Sequence, residues 1–169
     1  ERPMRLTALI ALAASVLLVA CAPIPSEPEP PPFALDSRGV KPTVSQLRID
    51  FGRAQVGVIE TVSRLLGDRP TEVVTNTECG DGPITAAAWE GGLTLNFQDG
   101  DFVGWVNTDP ELAAGGGFRP GQPRLEMPQA SFSVTTLGTE FSRSGVYGLL
   151  TDGDEAVRLL WAGTTCFFR

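Results

Sequence analysis

Residues 93–106 constrain the fold more than any other stretch. Leu93-Thr94-Leu95-Asn96-Phe97 and Phe102-Val103-Gly104-Trp105-Val106 alternate apolar and polar, and Gln98-Asp99-Gly100-Asp101 separates them. An Asp-Gly pair at a hairpin tip favours a type I′ turn, because both central residues must adopt positive φ. The turn then predicts a register in which Phe97 faces Phe102, Leu95 faces Gly104 and Leu93 faces Val106. These side chains share one face, and Thr94, Asn96 and Trp105 share the other. Asp99 and Asp101 read as turn residues and not as calcium ligands, since the loop lacks further oxygen ligands at EF-hand offsets.

A second hairpin follows the same rule. Val146–Leu150 and Ala156–Trp161 flank Asp152-Gly153-Asp154-Glu155. This loop predicts that Val146, Gly148, Leu150, Val157, Leu159 and Trp161 share a face. The two hairpins are either a worn internal repeat or two instances of one folding rule. One segment has helical period: over 54–66, Val58, Ile59, Val62, Leu65 and Leu66 form a single stripe, with Gly67 as a C-terminal stop and Pro70 beyond it. Shorter strands are expected over 47–51, 71–76, 84–89 and 164–168. With 19 Gly and 14 Pro, the fold class is α+β and β-rich: one helix packed on an antiparallel sheet of six to eight strands arranged as short hairpins.

The N-terminus carries a different signal. Arg5 precedes a run of about a dozen apolar residues from Leu6 to Leu18, too short for the ~20 that a membrane-spanning helix needs. It closes on Leu18-Val19-Ala20-Cys21, which resembles the lipobox of bacterial lipoproteins. That resemblance implies that residues 1–20 are a signal peptide and that Cys21 is lipidated. Two or more acyl chains anchor firmly where one binds only marginally. Ala22, in place of Asp, resembles the default for passage to the outer membrane. The expected location is therefore the cell envelope, lipid-anchored in the outer membrane and facing the periplasm.

Residues 22–32 hold six prolines, and Pro42 adds a seventh. Such a segment favours polyproline II, and some 20 residues at ~3.1 Å each could lift a domain roughly 60 Å from a bilayer. A plain linker whose length hardly matters is the simpler reading. The expected partition is residues 1–20 as signal peptide, 21–43 as lipidated cysteine and tether, and 44–169 as one globular domain.

With Cys21 acylated, Cys79 and Cys166 remain, an even number in an oxidising compartment, and a disulfide between them is expected. No CxxC spacing favours a redox pair instead. The chain has no histidine, which excludes Ser-His-Asp and Cys-His catalysis and imidazole metal sites. Its only lysine, Lys41, lies in the proline-containing tether. We expect no cofactor and no metal. The Gly115-Gly116-Gly117 run lacks the strand before and the helix after that a phosphate cradle needs. The 13 basic and 20 acidic side chains give a net charge of −7. Removing the leader with Glu1, Arg2 and Arg5 leaves 11 against 19, or −8. Nucleic acid is therefore not an expected partner.

Three stretches, Gly92–Trp105, Leu137–Phe141 and Leu160–Arg169, together resemble a group of small lipoproteins of alphaproteobacteria. The group brings no established activity, so the resemblance implies an envelope location and nothing about chemistry.

Three functions fit these features. The leading expectation is a non-catalytic binding or scaffold module whose partners are the bilayer, through its lipid, and another envelope protein. The exposed hairpin loops at Asp99, Gly100 and Asp101 and at Asp152, Gly153 and Asp154 are candidate contacts. The alternative is a proteinaceous inhibitor of a periplasmic or secreted hydrolase, presenting the same acidic loops. An enzyme would have to rely on carboxylates, for example a pair drawn from Glu78, Asp81, Glu90 and Glu140; no residue is expected to be catalytic.

Overall fold

The computed structural model describes residues 30–127 and 130–167. Cys21 and most of the proline-rich segment lie outside them. A small sheet comes first: β1 (Phe33–Asp36), β2 (Gly39–Pro42) and β3 (Ile49–Asp50), followed by α1 (Gln55–Leu66). The main sheet contains β4 (Glu72–Asn76), β5 (Ile84–Ala88), β6 (Leu93–Gln98), β7 (Asp101–Asn107), β8 (Ser131–Thr135), β9 (Gly138–Arg143), β10 (Val146–Leu150) and β11 (Val157–Gly163). Its eight antiparallel strands run β4-β5-β6-β7-β11-β10-β9-β8. The architecture is thus two four-stranded meanders that meet at their last strands, β7 and β11. Each of those strands carries a tryptophan. The β-rich expectation holds, with far more sheet than helix.

The small sheet and α1 cover one face of the main sheet, here called the inner face. Val58 and Val62 are buried, and Ile59, Leu65 and Leu66 pack beside them, as the stripe predicts. Gly67 ends the helix in the left-handed conformation at φ 74°. The N-terminus has no side-chain cap; instead the Gln55 amide donates to the Gly100 carbonyl at the tip of the first hairpin (2.8 Å). The core joins Phe33, Leu35 and Val40 of the small sheet to Leu93, Leu95, Phe97, Phe102 and Trp105 of the main sheet. The Trp105 indole N–H donates to the Asp36 carbonyl (2.8 Å) across the two layers. The 108–123 loop adds Leu112, Ala114 and Phe118 to this core. Gly115 of the glycine run sits against Val146, where a β-carbon would clash, so close packing accounts for it.

Four expectations are corrected. Residues 33–42 are not tether but the β1–β2 hairpin, and Phe33, Leu35 and Val40 are buried. Pro42 is tolerated because it ends its strand, so Phe33–Pro42 belongs to the folded domain. In the first hairpin the turn is as expected, with Asp99 at φ 53° and Gly100 at φ 86°. Phe97 faces Phe102, but Val103 is then an extra residue, so Asn96 faces Gly104 and Leu95 faces Trp105. This bulge turns Trp105 into the core and Val106 out of it. Arg158 bulges in the same way in the second hairpin, so Leu149 faces Leu159 and Tyr147 faces Trp161. Leu159 and Trp161 therefore leave the inner face, and Leu160 and Ala162 take their places. Finally, residues 164–167 are not a strand; β11 ends at Gly163.

Candidate functional site

The segment after Gly163 crosses the outer face of the sheet as a strap. Gly163, at φ 73°, starts the bend. The Thr164 amide donates to the carbonyl of the bulge residue Val103 (2.8 Å). The Thr164 backbone lies directly over Gly104, where any β-carbon would overlap it. The buried Asn96 side chain donates to the Thr164 carbonyl (3.0 Å). The strap ends in the Cys79–Cys166 disulfide, with Cα atoms 5.2 Å apart and a sequence separation of 87. The disulfide expected from the cysteine count is therefore present. It ties the last described residues to the turn between β4 and β5.

Beside the strap is a concave space of about 410 Å³. Its walls are Tyr147, Trp161 and Phe167, the strap residues Gly163, Thr164 and Thr165, and Asp81 from the loop that carries Cys79. Tyr147 and Trp161 stack at 5.8 Å and 22° between ring planes, and Phe167 meets Trp161 edge-on at 5.1 Å. Tyr147 stays 43% exposed, but Trp161 is only 3% exposed. A buried indole N–H ordinarily has a partner. Those of Trp89 and Trp105 donate to the Asp68 and Asp36 carbonyls. The Trp161 indole N–H has no protein partner among the described residues, but water reaches it, so it is not a buried donor left unpaired. The Tyr147 and Thr165 hydroxyls and the Asp81 carboxylate have no protein partner there either, and Asp81 is held through its main chain by Gln98 (2.6 Å).

The candidate loops do not converge. β7 and β11 run antiparallel, with Gly104 beside Gly163 and Asn107 beside Leu160. The Asp99–Asp101 turn and the Asp152–Asp154 loop consequently lie at opposite ends of the sheet. Asp99, Gly100 and Asp101 are exposed, but this turn is docked on the start of α1. In the other loop Asp152 and Gly153 are exposed. Asp154 accepts a hydrogen bond from Thr139 (2.9 Å) and pairs with Arg124 (3.5 Å). The four candidate acid–base carboxylates are also spread out. Glu78 and Asp81 share the exposed β4–β5 loop, and Glu90 sits in the turn at the other end of β5. Glu140 is buried on β9, where it accepts a hydrogen bond from Thr135 (2.7 Å).

A larger groove, about 980 Å³, flanks α1 along Val56, Ile59, Ser63 and Pro70. The buried Ser63 hydroxyl has no partner among the described residues, yet the groove gathers no rings and nothing shows what would cover it. The strap pocket is the better candidate because stacked aromatic rings, an indole and a carboxylate-bearing residue line one concave space there. It also lies on the face away from α1 and toward the end opposite Pro30–Pro32, where the described chain joins the domain beside Leu66 and Asp109.

No family model, curated protein or solved structure matches this chain.

Proposed function

We propose that this protein is a lipid-anchored binding or scaffold module of the cell envelope, tethered through Cys21 to the outer membrane and facing the periplasm. The aromatic ledge of Tyr147 stacked on Trp161, lining one concave space with the Asp81 side of the β4–β5 loop, carries the binding half of this reading. A disulfide-tied domain suits an oxidising compartment, and the Leu18–Cys21 motif supplies the anchor. An anchor leading to Pro30–Pro32 would leave the strap pocket turned away from its own point of attachment. The partner expected on the sequence is another envelope protein.

The test has two parts. Mass spectrometry of the purified N-terminus should find acylated Cys21, and globomycin should block its processing. A photo-crosslinking side chain at Tyr147, activated in intact membranes, should give a discrete adduct that one placed at Asp99 does not. An acyl-free protein, or the same diffuse pattern from both positions, rules the reading out.

The Asp152–Glu155 loop keeps the inhibitor reading alive. It is exposed yet braced, with Thr151 accepting hydrogen bonds from the Glu155 and Ala156 amides (3.3 and 3.4 Å). A preorganised exposed loop is what tight hydrolase inhibition requires. Inhibition of a secreted protease or peptidoglycan hydrolase that is lost on Asp152→Ala would favour it.

A further inference from the structure

We infer that the strap pocket binds a neutral glycan, with a pyranose ring laid on Tyr147. The inference rests on reading this domain as a binding module and names the ligand of that same site.

The chemistry of the walls selects the class. The exposed face of Tyr147 is electron-rich at its centre, as aromatic faces are. The flat side of a pyranose with equatorial substituents presents weakly positive C–H groups to such a face. Trp161 backs Tyr147 from below, stacked at 5.8 Å, so only one ring face is open. An open single face suits a flat sugar ring and does not enclose a compact cation. The polar groups point the same way. The Trp161 indole N–H can only donate and the Asp81 carboxylate can only accept, while the Tyr147 and Thr165 hydroxyls can do either. None is satisfied within the described residues. Adjacent sugar hydroxyls both donate and accept, so one ring can satisfy this mixed set.

The other ligand classes fit less well. A phosphate or carboxylate would meet Asp81 in a chain of net charge −7. An ammonium group would find Asp81 but also an indole N–H, whose positive end repels it. A purely apolar ligand would leave the Trp161 donor and the Asp81 acceptor unpaired. At about 410 Å³ the space lies toward the low end of the ~300–1,000 Å³ usual for small-ligand sites, which suits a mono- or disaccharide unit of a longer chain.

Calorimetric titration of the full-length protein in detergent tests this, with N,N′-diacetylchitobiose and cellobiose as probes and tetramethylammonium as the cationic control. We expect saturable binding of at least one disaccharide, unchanged between low and high salt because no charge is paired. Tyr147→Ala should weaken it about tenfold, as loss of one ring stack does. Trp161→Phe keeps a ring but removes the donor, and should weaken it by a similar factor. Near-ultraviolet circular dichroism and an intact disulfide certify that each variant is folded. Flat titrations with both disaccharides overturn the inference. So does salt-sensitive binding of tetramethylammonium alone, or sugar binding that both folded variants retain. A flat titration alongside a Tyr147-specific membrane adduct removes the glycan and leaves the anchored module. Loss of both, or an acyl-free Cys21, removes the module itself.

Discussion

Gly104 lies directly under Thr164, and the strap can cross the sheet only because Gly104 has no side chain. Its φ is not in the left-handed region, so space and not backbone freedom is the constraint. Gly104→Ala should therefore lift the strap, break the Asn96 and Val103 hydrogen bonds to Thr164, and cost roughly 1–3 kcal/mol as overpacking does. Urea unfolding measures the loss. An unchanged midpoint would mean that the strap is not seated.

The Cys79–Cys166 bridge closes a loop across most of the domain. The chain-entropy account assigns such a loop about 4–5 kcal/mol. Reduction, or the double change of Cys79→Ala and Cys166→Ala, should lower the unfolding free energy by up to that amount. Because the strap forms one wall of the pocket, the open form should also lose the near-ultraviolet signal of Trp161. A reduced protein with the same stability and spectrum would show that Asn96 and Val103 alone hold the strap.

Much of this fold is legible in local sequence, and what is missed has a common cause. Asp99-Gly100 announces its hairpin because turn chemistry depends only on neighbours. The helix stripe over 54–66 is legible for the same reason. The bulges at Val103 and Arg158 are not, since period-2 counting assumes an uninterrupted ladder. At Val103 the interruption answers to Thr164, 61 residues away. That single slip moves Trp105 to the correct face and, at Arg158, sends Trp161 to the other one. The pocket is hidden for this reason: Tyr147 and Trp161 stack only once Arg158 is counted out. Asp81 stands out as a carboxylate, but nothing local joins it to two rings. The β1–β2 hairpin escapes because Phe33, Leu35 and Val40 are embedded among prolines. The Ser144-Gly145 turn, with φ of 52° and 77°, is a weaker form of the signal at Asp99-Gly100 and could have been found.

Trp105 joins the two layers, fully buried and hydrogen-bonded to the Asp36 carbonyl at 2.8 Å. Trp105→Phe should leave a void and an unpaired carbonyl, costing about 2–4 kcal/mol. Because the lost bond reaches β1, residues 33–42 should become the first to exchange amide hydrogens. Hydrogen exchange by mass spectrometry reads this directly. Uniform acceleration across the sheet instead would mean that β1 and β2 are not a separate layer.

Arg48 bridges Asp36 and Asp50 at 2.7 and 2.9 Å, at the edge of the small sheet. Burial pushes the Asp36 carboxyl upward, but hydrogen bonds from Arg48 and from the Arg38 amide, together with both positive charges, outweigh it and hold the group below its ordinary value. A carboxyl lowered in the folded state binds its proton more readily when unfolded. Its stabilisation is therefore complete above the unfolded value near pH ~4 and disappears as pH falls through the lower, folded value. The unfolding free energy should decline below about pH 4, and Asp36→Asn should flatten part of that decline. At neutral pH the same change should cost only about 1 kcal/mol, because water reaches a third of the side chain and screens the pair. Urea titrations at a series of pH values for both proteins make the comparison. Parallel acid limbs would place the acid sensitivity in other carboxylates and leave the Arg48 bridge with no part in it.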